Sequence, residues 1–178
     1  MICFFSLSNY IQLLFKKVNM AKYEEQWERV ERSYNRFKAI TEGQPDTSQS
    51  KEYDDVPRGF FNECHNLKDH LKNDPGYQKH TPKEIEDYVT NTPALAICAD
   101  ISNSAKHLVL DRAPRSGGNT KFPSGRNITL RVMDDLTSTE QSTPEIAITY
   151  FVEVDSGTYR NAFQVATEAL KAWQRFIF

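Results

Sequence analysis

The sequence has no hydrophobic run long enough to cross a bilayer as a helix. Its most apolar stretch, Met1 to Phe15, is interrupted by Ser6, Ser8, Asn9 and Gln12 and falls short of the ~20 residues a span requires. A secretory signal does not fit either, because Lys16 and Lys17 follow the apolar core instead of preceding it. Cysteine is scarce: Cys3, Cys64 and Cys98 are odd in number and show no CxxC spacing. That excludes a disulfide framework, gives no basis for a zinc site, and points to a reducing cytoplasm. There is no GxGxxG turn, Walker loop or GxSxG elbow, and no helical HxxxH pair, so no cofactor and no metal is implied. Charge of one sign is not in excess either. Twenty-two basic against 24 acidic side chains leave a net charge of −2, with no global commitment to nucleic acid or to an acidic membrane.

What remains is a soluble-type composition, 39% hydrophobic and 12% aromatic over 178 residues. One domain of this size buries about 70% of its unfolded surface. Residues 1–19 read as a leader upstream of the true start. Lys16-Lys17-Val18-Asn19 has the look of a translated ribosome-binding region, and Met20-Ala21-Lys22 makes a natural beginning. The expected unit is therefore a single helical domain over 20–178.

Helical periodicity dominates its first half. Tyr23, Trp27, Val30, Tyr34, Phe37 and Ile40 recur in steps of three and four, ringed by Glu24, Glu25, Glu28, Arg29, Glu31 and Arg32. Gly43-Gln44-Pro45-Asp46 ends that helix. Phe60, Cys64, Leu67 and Leu71 mark a second, which starts near Asp54 or Asp55 and stops at Asn73-Asp74-Pro75-Gly76. Thr81-Pro82-Lys83-Glu84 is a capping box for a short third helix with Ile85, Tyr88 and Val89 inward. Two alternating stretches, Asn127 to Met133 and Glu145 to Val154, predict an antiparallel pair of strands with a polar connection. Asp155-Ser156-Gly157 then leads into a last helix carrying Tyr159, Phe163, Ala166, Leu170, Trp173 and Ile177 on one face. The expected fold is mainly α: a four- to five-helix bundle with a two-stranded antiparallel β element before the C-terminal helix.

The candidate chemistry lies on the helix opened by Thr92 and Pro93. Ala94, Cys98, Ile101, Ala105 and Leu108 share its apolar face, whereas Asp100, Asn103 and His107 form a polar stripe well round from it. An imidazole with a pKa near 6.5 suits acid–base work, with the acid and amide as orienting groups. Asp100 and His107 are about 10 Å apart along the axis, so a second helix or a second subunit would have to complete the site. A structural reading stands beside this one: the stripe caps the following loop or pairs two helices. Between Lys106 and Arg131 six cations (Lys106, Arg112, Arg115, Lys121, Arg126 and Arg131) face one acid, Asp111. This is a candidate phosphate-contacting region, with Ser116-Gly117-Gly118 able to offer backbone N–H groups.

The Asp100-…-Asn103-…-Lys106-His107 stripe near the end of a late bundle helix resembles the HEPN superfamily of helical domains. The same run with Trp173 also resembles bacterial proteins of similar size. The HEPN resemblance implies an all-helical, dimeric protein that binds or cleaves RNA, in a toxin–antitoxin or antiphage setting. In that family an arginine precedes the histidine by four to six intervening residues; here Ser102, Ile101 and Asp100 occupy those places, so Lys106 or Arg112 would supply the cation. The resemblance implies His107 as the acid–base or phosphate-contacting residue, homodimerisation, and a ribonuclease that needs no metal. The alternative is a non-catalytic helical interaction or dimerisation module.

Overall fold

The computed structural model describes residues 22–43, 53–106, 113–118, 120–131 and 145–178. Residues 1–19, expected to be a leader, lie outside them, as do His107, Arg112, the polar connection between the strands and the side chains of Lys106 and Arg131. Among the described residues five helices and a small sheet follow in the order α1 (Lys22–Glu42), α2 (Asp55–Asn73), α3 (Pro82–Asn91), α4 (Pro93–Lys106), β1 (Arg126–Arg131), β2 (Glu145–Asp155), β3 (Thr158–Asn161) and α5 (Ala162–Ile177). The fold is mainly α, with the antiparallel β element before the last helix.

Local chemistry sets the boundaries. Gly43 ends α1 in a left-handed conformation (φ 85°) that a side chain would resist, and its N–H returns to Ala39 O at 3.1 Å. The capping box of α3 is complete: Glu84 N–H donates to Thr81 Oγ1, and Thr81 N–H donates to Glu84 Oε2 at 2.7 Å. Asp74, just past α2, accepts from Gly76 N–H and from Tyr23 N–H at 3.0 Å, which joins the end of α2 to the start of α1.

The core runs through every helix. Val30, Phe37, Phe60, Phe61, Leu67, Ile85, Ile101 and Trp173 are buried in it, and Trp173 Nε1 donates to Cys64 O at 3.0 Å. Tyr150 and Val152 bring β2 onto this core; Tyr150 packs edge-on to Phe37 and donates its hydroxyl to Tyr53 O. Helix α4 packs against α2, α3 and α5. Every residue from Ala94 to Ser102 is buried. The two-faced helix expected from the sequence is thus enclosed on all sides, as befits a helix apolar around most of its circumference. Its polar residue Asp100 is inside, only 3% exposed.

The β element has a third strand. β2 is central in the order β1-β2-β3, with Ile128 opposite Ile148 on one edge and Val152 opposite Arg160 on the other. Gly157, at φ 78°, reverses the chain so that Thr158-Tyr159-Arg160-Asn161 pairs back on β2 before the helix begins. Asn161 then caps α5, its side chain accepting from Gln164 N–H at 3.0 Å. Tyr159, expected on the helix, is on the strand and 55% exposed. The helical spacing it shares with Phe163 is overridden by the β-branched and aromatic residues around it and by the cap that follows.

Candidate functional site

Asp100 projects from α4 into the loop that follows. Its Oδ1 accepts Arg115 N–H at 2.8 Å, and its Oδ2 accepts Ser116 N–H at 2.9 Å and the Ser116 hydroxyl at 2.5 Å. The loop therefore closes over a buried carboxylate, and the backbone N–H of Ser116, one of the three offered by the sequence to a phosphate, is already occupied by Asp100. Ser116 Oγ also meets Thr120 Oγ1 at 2.9 Å. Gly117 adopts φ 77°. Gly118 lies so close to β2 that a Cβ there would sit 2.0 Å from Val154 O. This loop, α4 and the β2–β3 hairpin enclose a cleft of about 440 Å³.

The Arg115 side chain lines that cleft and reaches α3. It donates to Thr90 Oγ1 and, at 2.9 Å, to Glu86 Oε2. Glu86 Oε1 is held by Lys68 and Lys72 of α2, at 3.2 and 2.5 Å. Burial by itself would raise the Glu86 carboxyl, but the hydrogen bonds from Lys72 and Arg115 and the charge of Lys68 outweigh it and hold the group at about 2. Asp69, against the same two lysines, is partly desolvated yet held below the ordinary carboxylate range by them, and Lys72 is raised in turn. These charges join α2, α3 and the loop into one network.

The other cations expected to contact phosphate also have acidic partners where they are described. Lys121 pairs with Glu153 at 3.5 Å, and Arg126 with Asp54 at 2.8 Å. Arg160, on the rim of the cleft, is bound twice by Glu168, at 2.9 and 2.8 Å. Asn103 is half-buried within α4, three residues beyond Asp100. Of the sequence candidates, the fold thus brings Asp100 and Arg115 together through the loop backbone, and disperses Lys121 and Arg126 onto separate acids. Among the described residues no group of three His, Cys, Asp or Glu side chains is placed to hold a metal ion, and no helix is long and apolar enough to cross a membrane.

One feature escaped the sequence reading. Arg29, Arg32 and Arg36 recur at i, i+3 and i+7 on α1, and the spacing alone places them on one face. The alternation of acids and bases along the helix hid that stripe. The chain matches no family model, no curated protein and no solved structure, so its function rests on the chemistry of these residues.

Proposed function

We propose that this protein acts by binding a partner and that the Asp100–Asn103–His107 stripe is not a catalytic site. The observation that carries this reading is the state of Asp100. Both of its oxygens accept from donors of residues 115 and 116, and the side chain is buried inside the protein, which gives a substrate no access to it. A carboxylate so placed positions a loop. The resemblance to HEPN domains supports RNA as the class of partner, and the departure of the arginine from that family's pattern supports binding without cleavage.

Incubating the full chain with total RNA in EDTA, beside His107→Ala, tests this. Intact RNA with both proteins is the expected result. Metal-independent cleavage that disappears in a folded His107→Ala protein would replace the binding module with a ribonuclease.

A further inference from the structure

Helix α1 carries a groove that neither the loop cations nor the polar stripe explains. It runs between α1 and α2, encloses about 640 Å³, and is lined by Arg29, Arg32, Ser33 and Arg36 from α1 and by Asp55, Val56, Gly59 and Glu63 from α2. All three arginines are exposed. Arg32 pairs with Glu28 at 3.3 Å in a solvent-exposed contact, a kind that holds weakly, while Arg29 and Arg36 pair with no acid among the described residues. Asp55 and Glu63 on the facing helix likewise pair with no described cation; Glu63 accepts only from Gln26 Nε2, at 2.6 Å. Opposite charges thus stand on the two sides of one groove without meeting across it.

Gly59 adds a second observation. Glycine is a destabilising choice inside a helix unless close packing or an unusual backbone requires it. Neither does here: Gly59 is five residues into α2 in helical conformation, and a Cβ built on it would meet nothing within 4 Å. What its missing side chain provides is open space on the α2 side of the groove.

From these features we infer that the α1–α2 groove is a binding site for single-stranded RNA. This rests on the binding reading above and names its partner and its surface. Arg29 and Arg36 are seven residues apart, about 10.5 Å along the axis, so no single phosphate reaches both and the ligand must carry a series of anionic groups. Guanidinium forks are the side chains best matched to phosphate oxygens. The carboxylates opposite repel a ligand that is only anionic, such as an acidic peptide. They accept from one that also brings donors, which a single RNA strand does through its 2′-hydroxyls and the amino groups of unpaired bases. In a duplex those base edges are committed to pairing, and the space beside Gly59 is a place for an unpaired base.

Fluorescence anisotropy of the full chain with a labelled, mixed-sequence single-stranded RNA dodecamer tests the assignment. With three phosphate contacts the affinity falls roughly twentyfold between 50 and 200 mM salt, whereas Arg29→Ala/Arg36→Ala binds more weakly and loses only about threefold over the same range. Gly59→Phe keeps every charge, fills the open space and abolishes binding, with circular dichroism confirming that it is folded. Lys171→Glu, an exposed charge change on α5, leaves binding unaltered. The inference is overturned by unchanged affinity and salt slope in the double arginine variant, by absence of RNA binding in the parent chain, or by equal affinity for a polyglutamate peptide or for duplex RNA. Running the RNA on a gel after each titration keeps the two readings separate. Cleavage there removes the non-catalytic reading and leaves the groove standing, RNA bound equally well by the double arginine variant removes the groove alone, and intact, unbound RNA removes both the groove and RNA as the partner.

Discussion

Asp100 is a charged residue that the fold keeps from solvent and satisfies entirely with loop donors. Removing it leaves two backbone N–H groups and a hydroxyl without their acceptor, and hydrogen bonds to a charged group are each worth about 1.5–3 kcal/mol. Asp100→Ala is expected to lower stability by about 3 kcal/mol, read from the midpoint of urea unfolding. A loss below about 1 kcal/mol would mean that water enters and replaces the carboxylate. The loop's two glycines answer to different physics. Gly117 needs its positive φ, which costs an alanine about 1–2 kcal/mol. Gly118 instead needs the absence of a Cβ, because Val154 O occupies that place. Gly118→Ala must therefore push the loop off β2 or break the Asp100 contacts. It is expected to be the more damaging of the two in a thermal melt, by about 1–3 kcal/mol or more.

At the scale of elements, ionic contacts do what covalent staples do in smaller folds. Glu86 of α3 binds two lysines of α2 and the arginine of the loop, and its folded pKa of about 2 lies below its ordinary 4.5. A depressed carboxylate contributes stability that is complete above the unfolded value and is lost as pH falls through the folded one. Asp69 and Asp74 are depressed as well, so acid sensitivity is expected between about pH 4.5 and 2, with little change from pH 5 to 7. Glu86→Gln should be less stable than the parent at pH 7, and the gap should narrow towards pH 2. A gap constant with pH in guanidinium-free urea titrations would show that the lost packing, not the charge, mattered. Helix α2 offers the opposite case. Gly59→Ala meets no steric obstacle and should raise stability by about 0.5–1 kcal/mol, seen as a higher melting temperature.

At the scale of the molecule, α4 is buried along most of its length against α2, α3 and α5. Its alanines let neighbouring helices approach closely, and Ala99 is fully buried. Ala99→Leu overfills that junction and is expected to cost about 1–3 kcal/mol across the single unfolding transition, not in one segment of it. Burial all round also explains which parts of the molecule were legible in the sequence. Steps of three and four found α1, α2 and α5, Gly43 fixed the end of α1 and the Thr81 capping box the start of α3, because those signals are local. Asp100 was visible as an acid on a helix but not as an interior one. Its partners are 15 and 16 residues further on, in a loop whose path no short-range pattern encodes. The third strand was missed for the same reason, since Tyr159 has the spacing of the helix that follows it and only pairing with Glu153 distinguishes the two. The arginine stripe of α1 was there to be read in the spacing; what the sequence did not contain was the width of the groove beside it.

The two tryptophans of the chain sit on α1 and α5, both in the helical core, Trp27 edge-on to Phe178 and Trp173 bonded to α2 through Cys64 O. Neither lies on a strand. Tryptophan emission, excited beyond the absorption of the sheet tyrosines Tyr150 and Tyr159, therefore reports on the helical body. A partner that shifts it has altered the packing of the helices, so the molecule carries an unlabelled reporter of its helical core.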